Sequence, residues 1–157
     1  MIAWLKQAQT YLGIREYPGA ASNPLILRFW QLARLAGIKD DRVPWCSGFA
    51  CACMEEVGIR SPRSDGARSW LTWGSPLREP VQGCVVVLQR PGGFHVGFAM
   101  GQDRDGRLLL IGGNQGDAVG IAAFDRSRVV GYRWPLGVPI ETALPFMASV
   151  PTSTSEA

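Results

Sequence analysis

"CVVVLQRPGGFHVGFAMG", residues 84–101, reads as two strands joined by a tight turn. Val and Phe dominate both runs, and Pro91, Gly92 and Gly93 break them. In the second run Phe94, Val96 and Phe98 alternate with His95, Gly97 and Ala99, so His95 shares a strand face with small residues. Small neighbours leave room for an approaching substrate backbone. Downstream, "RLLLIGGN", "AVGIAAFD" and "RVVGYRWP" are further short β-rich runs set apart by turn residues. Upstream of Gln82 the character is helical instead. Helices followed by an antiparallel sheet of about five strands define an α+β fold.

The upstream helices have readable ends. "IAWLKQAQTYLG" places Trp4, Leu5, Ala8, Tyr11 and Leu12 on one face, with Gly13 as the stop. "REYPGAASNP" is a loop. Asn23 is an N-cap before Pro24 at the first helical position, opening a helix that carries Leu25, Leu27, Phe29, Leu32 and Leu35 and stops at Gly37. A third helix is expected over residues 44–57, and "SDGARSWLTWG" suggests a short fourth. The expected division is a single domain over residues 1–140 and a C-terminal extension over residues 141–157, whose Ser/Thr/Pro end is expected to fray.

The 157 residues suffice for one core, and 46% apolar against 18% charged residues exclude a disordered chain. The net charge of +3 is spread without a basic block, so no nucleic-acid partner is expected. No run reaches the roughly 18 apolar residues of a membrane span, and Lys6 and Gln7 interrupt the N-terminal run, which does not read as a signal peptide. The expectation is a chain made in the cytosol without stable membrane insertion.

"VPWCSGFACACMEE", residues 43–56, holds three of the four cysteines. On a helix Cys46, Cys51 and Cys53 point about 140° and 200° apart, so they converge on no metal ion and form no disulfide with one another. Cys53 reads as core, and Cys51 and Cys84 as structural. Cys46 differs because it falls in the first turn, where unpaired N–H groups and the helix dipole favour a thiolate. A Cys/His enzyme built on this chain must use His95, its one histidine. Asn114, after a Gly-Gly pair at a strand end, suits either a turn or an acceptor that orients the imidazole. Trp45, Trp70 and Trp73 lie near the site in sequence. Trp70 reads first as core and Trp45 is open to either role. Glu16 reads as an exposed loop carboxylate, and Asp40 and Asp41 flank the helix start or contact it.

The order of Cys at a helix start, His on a strand and a polar residue on the next strand resembles the papain-like cell-wall hydrolases of the CHAP and NlpC/P60 families. "VPWCSGFACACMEEVGI", "ARSWLTWG", "GCVVVLQRPGGFHVGFAMG" and "LLLIGGNQGDAVGI" are similar to blocks of a small CHAP-like group of phage lysins and bacterial proteins, over roughly residues 1–135. The resemblance implies a papain-like fold with Cys46 as nucleophile, His95 as general base and Asn114 as the orienting residue. Gln115 and Asp117 are neighbours that keep the third position open. Trp45, Ser47, Gln115 and Trp73 are the candidate substrate contacts. The implied substrate is peptidoglycan, cut at an amide bond in or next to the stem peptide, with no metal or cofactor. The chain departs from NlpC/P60 sequences in having Trp45 where Asp is common and in lacking a second His, which favours the CHAP side.

Implied roles are an endolysin released by a holin or a lytic effector delivered by a secretion machine, acting on the wall as a monomer. An immunity protein would be the partner of an effector. Two other classes remain: a non-catalytic wall-binding module on the same fold, and a Cys/His amidohydrolase acting on a protein.

Overall fold

The chain reverses at Pro91-Gly92, where Gly92 takes a left-handed φ of 78°. This turn joins β2 (Val85–Arg90) to β3 (Gly93–Gln102), with Leu88 opposite His95. In this computed structural model residues 2–156 are described. Met1 and Ala157, the outermost residues of the two expected segments, lie outside them. β4 (Leu108–Gly112), β5 (Gly120–Phe124) and β6 (Val129–Trp134) follow, as expected from the alternating runs. Among the described residues the strands form one antiparallel sheet of six, in the order β1-β6-β2-β3-β4-β5. The sixth strand, β1 (Ser75–Leu77), has three residues with Pro76 at its centre. Proline is tolerated because β1 is an edge strand, and so short a run carries no alternation to read.

The class is α+β, with helices preceding the sheet. α1 (Ala3–Gln9) buries Trp4, Leu5 and Ala8, and Trp4 Nε1 donates to Gly83 O at 2.7 Å just ahead of β2. Leu12, expected on the same face, is exposed because the helix has already ended. α2 (Pro24–Leu32) starts as expected: Asn23 Oδ1 accepts from Leu25 N at 3.0 Å, with Pro24 at the first helical position. Its core stripe is Ile26, Phe29, Trp30 and Ala33, while Leu25 is exposed. It ends before Gly37 because Arg34 turns left-handed (φ 64°) and Leu35 N closes onto Trp30 O at 2.7 Å.

α3 (Cys46–Glu56) lies between the other helices and the sheet, against α1 and α2 on one side and β3 and β4 on the other. All residues from Cys46 to Met54 are buried, which explains the absence of a polar face. A Cβ on Gly48 would come within 2.8 Å of the Trp30 ring, so the α2–α3 approach depends on that glycine. The fourth helical segment is 3-10, over Ala67–Thr72, and packs Trp70 into the core.

The C-terminal extension, whose end is expected to fray, is bonded to the sheet at several points. Gln102 N donates to Pro145 O at 2.9 Å and Met147 N donates to Gln102 O at 2.8 Å. Thr152 then bridges the free edge of β5 at Ala123, flanked by Ala123 N to Pro151 O at 3.1 Å and Ser153 N to Ala123 O at 3.0 Å. A Cβ on Gly101 would lie within 2.7 Å of Met147 and of Pro145 O, so the bare backbone there admits the extension. Unpaired strand-edge groups and a glycine-lined approach receive the segment.

Candidate active site

The start of α3 sets the thiol. Trp45 has non-helical angles (φ −114°, ψ 17°), so helical structure begins at Cys46, two residues later than the expected start at Pro44. The cause is the Trp45 ring, which stacks on Phe29 at 6.0 Å and donates from Nε1 to Glu16 Oε1 at 2.8 Å. Trp45 is fully buried and is a core residue, not a substrate contact. Glu16 is likewise engaged as its acceptor, and its pKa is raised, chiefly by burial. Asp41 is buried, accepting at Oδ2 from Tyr17 N at 2.9 Å and Asn23 N at 2.8 Å. It fastens the 15–23 loop to the segment leading into α3. Asp40 pairs with Arg42 at the surface.

Cys46 is 3% exposed and lines a cleft of about 290 Å³ with Asp65, Arg68, Arg90 and Phe94. Burial pushes its thiol pKa up, while the backbone N–H groups of Val96 and Ser47 and the charge of Arg90 oppose that rise. The Val96 contact brings the thiol to β3 at the residue after His95. Cys51, Cys53 and Cys84 are fully buried, and all four thiols are free. Their pKa values are raised by burial too, that of Cys84 to about 12. Burial thus works against the thiolate that the helix start and Arg90 favour.

His95 is fully buried, its ring stacked on Phe124 of β5 at 5.7 Å and 20°. Nε2 lies 3.0 Å from Gln115 Oε1, and Nδ1 has no hydrogen-bond partner. Which way round the Gln115 amide lies is fixed from its other end. Nε2 of Gln115 donates to Leu110 O at 3.1 Å and Gly120 O at 2.8 Å, so only its oxygen is left to face the imidazole. An oxygen acceptor requires the proton of neutral His95 on Nε2 and leaves the Nδ1 lone pair free. Burial lowers the His95 pKa to about 4, against the raising effects of Gln115 and of the Glu156 charge.

The acceptor at the imidazole is thus Gln115, not Asn114. Asn114 is buried in the left-handed region (φ 61°), its Nδ2 donating to Glu156 O at 3.1 Å. It is the turn residue that its Gly-Gly context also allowed, and the turn swings Gln115 back over β4. Gly112 makes the space: a Cβ there would overlap Gln115 Oε1 and come within 3.5 Å of His95 Nε2.

The remaining candidates separate. Ser47 Oγ is fully used, donating to Ser64 O at 2.7 Å and accepting from Trp70 Nε1 at 3.0 Å, so its side chain holds the 3-10 segment against α3. Trp73 donates to Arg60 O at 2.8 Å and lines a different hollow, of about 510 Å³, with Leu136 and Val138. Two residues missed as site components are Phe124, which backs the imidazole, and Glu156, 42 residues beyond Asn114 in sequence. Among the described residues no three His, Cys, Asp or Glu side chains converge to hold a metal ion. No helix among them is long and apolar enough to cross a membrane. No family model matches the sequence, and no curated protein matches it either.

Proposed function

We propose that the protein is a cysteine amidohydrolase of the papain-like type, with Cys46 as nucleophile, His95 as base and Gln115 as the orienting residue. The observation that carries this reading is the state of the imidazole. Its outer nitrogen is held by an amide whose direction is fixed, while Nδ1 is buried without a partner. An unpartnered buried ring nitrogen costs stability in a purely structural histidine. It is what a proton acceptor needs.

Substrate entering the Cys46 cleft brings its amide carbonyl to the sulfur. The thiol proton passes to His95 Nδ1 as the sulfur attacks, which needs no resting ion pair. The first-turn N–H groups of α3 lie next to the sulfur and are suited to receive the oxyanion. Protonated His95, steadied by Gln115, returns its proton to the leaving amine. Water, activated by the same nitrogen, then releases the acyl group from Cys46.

The sequence resemblance supports peptidoglycan as substrate, at an amide in or next to the stem peptide, with wall lysis as the outcome. Arg68 and Arg90 at the cleft suit an anionic stem peptide. Purified peptidoglycan treated with wild type, Cys46→Ala and His95→Ala, with products identified by mass spectrometry, tests this reading. Released peptides with wild type alone are expected, and their ends name the bond. Equal release by Cys46→Ala removes the thiol mechanism. No release by any of the three from peptidoglycans of different stem composition removes the substrate.

A further inference from the structure

Residues 155 and 156 lie against the turn that carries Gln115, the partner of His95. Asn114 Nδ2 donates to Glu156 O at 3.1 Å and Gly116 N donates to Ser155 O at 2.9 Å, so the turn that carries Gln115 is bound on both sides to the extension. Glu156 is 6% exposed, which is unusual for a carboxylate. One of its oxygens pairs with Arg128 and the other accepts from Ser153 Oγ at 2.7 Å. Arg128 in turn sits over the Phe124 ring at 5.3 Å, and Phe124 stacks on His95. Carboxylate, guanidinium, phenyl ring and imidazole therefore form one connected series.

The same segment walls the groove. Thr154, Ser155 and Glu156 line a hollow of about 180 Å³ with Arg90 and Pro91. Arg90 also lines the Cys46 cleft, so its side chain borders both hollows. A second fastening lies further back. Arg107 donates to Thr152 Oγ1 at 2.6 Å and Ser149 Oγ at 2.8 Å, and Ser149 donates to Asp103 Oδ2 at 3.0 Å.

We propose that residues 149–156 are a tethered blocking strap, which closes the Arg90 side of the active-site groove over His95 and is latched by the Glu156–Arg128 pair. The ligand that displaces it is a peptide bearing a carboxylate, which takes the place of Glu156 at Arg128. Opening exposes the imidazole, admits water to the site and widens the Cys46 cleft toward the 180 Å³ hollow. The proposal rests on the catalytic reading only for its consequence on activity, because the exposure of His95 can be read whatever the reaction.

The full chain reports on the strap directly, since it contains a single histidine. Carbethoxylation by diethyl pyrocarbonate at pH 7, followed by absorbance, reads the exposure of His95 alone. E156Q removes the charge at nearly constant shape, and E156R also repels Arg128. Expected are a several-fold faster reaction in E156Q, about tenfold in E156R, and a return toward the wild-type rate in the exchanged pair R128E/E156R. Melting curves identify any global loss of folding, in which case E156Q carries the comparison. Equal rates in wild type, E156Q and E156R overturn the strap, as does acceleration that the exchange fails to reverse. Faster carbethoxylation with no peptidoglycan cleavage in any variant upholds the strap and counts against the enzymatic reading instead.

Discussion

Gln115 Oε1 sits 3.0 Å from His95 Nε2, and the carbonyls of Leu110 and Gly120 hold the other end of the same amide. The pair works as a unit because Gln115 has no freedom to flip. Gln115→Ala is therefore expected to lower kcat/KM on peptidoglycan on the order of 100-fold, with the loss in kcat. Asn114→Gly, which keeps the left-handed backbone, is expected to cost at least ten times less. Steady-state kinetics on both variants checks the order, and a reversed order would return the orienting role to Asn114.

His95 also makes stability depend on pH. Its pKa is about 4 when folded, because burial disfavours the charged ring, against an ordinary 6.5 when unfolded. Below pH 6.5 the unfolded chain takes up a proton that the folded chain refuses. Stability is thus fully present above about pH 6.5 and falls as pH drops toward 4, by about 3 kcal/mol in total from this group. Urea unfolding at pH 7.5, 5.5 and 4.5 should show the decline in wild type and a shallower one in His95→Gln. Equal slopes would mean that the imidazole is hydrated in solution.

Gly112 tests whether the geometry of the pair matters apart from its composition. A Cβ at this position would displace Gln115 Oε1 and approach within 3.1 Å of its Cδ, the movable end of a side chain rather than backbone. Gly112→Ala is therefore expected to fold, with the amide pushed off the imidazole. Activity should fall about tenfold or more while Cys46 and His95 remain in place. Activity assays beside near-ultraviolet circular dichroism separate this from unfolding, and unchanged activity would show that the amide has room elsewhere.

Part of the candidate site is legible in the sequence, for physical reasons that also mark where legibility ends. Cys46 and His95 stood out because a helix start and a lone histidine on a strand are local facts. Asn114 and Gln115 are adjacent, and no local rule says which one faces a ring 20 residues away. The left-handed turn at Asn114 and the bare Gly112 decide it, and both are consequences of tertiary packing. Proximity to Cys46 in sequence points Trp45 and Ser47 toward the substrate. Their partners, Glu16 and Phe29 in one case and Trp70 and Ser64 in the other, are distant in sequence. The docking of residues 145–156 has no periodic signal, since it rests on backbone bonds to Gln102 and Ala123 and on isolated side-chain pairs such as Glu156–Arg128 with partners distant in sequence.

Arg90 borders both the Cys46 cleft and the hollow lined by residues 154–156, and its charge acts on the thiol. Burial is the larger influence and raises the Cys46 pKa, whereas Arg90 lowers it. The sign follows for a substitution: Arg90→Gln removes a stabiliser of the thiolate and raises the pKa further, while Arg90→Lys keeps the charge. Arg90 also donates from Nε to Phe94 O at 3.2 Å, so the lysine variant controls for the loss of that contact. The pH profile of Cys46 alkylation by iodoacetamide, read by peptide mass spectrometry, should have its midpoint above the ordinary thiol range in the intact chain. Arg90→Gln should move that midpoint up and Arg90→Lys should move it less. A wild-type midpoint below pH 7 would instead mean that the thiolate–imidazolium pair is the resting form, and that the closed groove is more hydrated than its buried side chains imply.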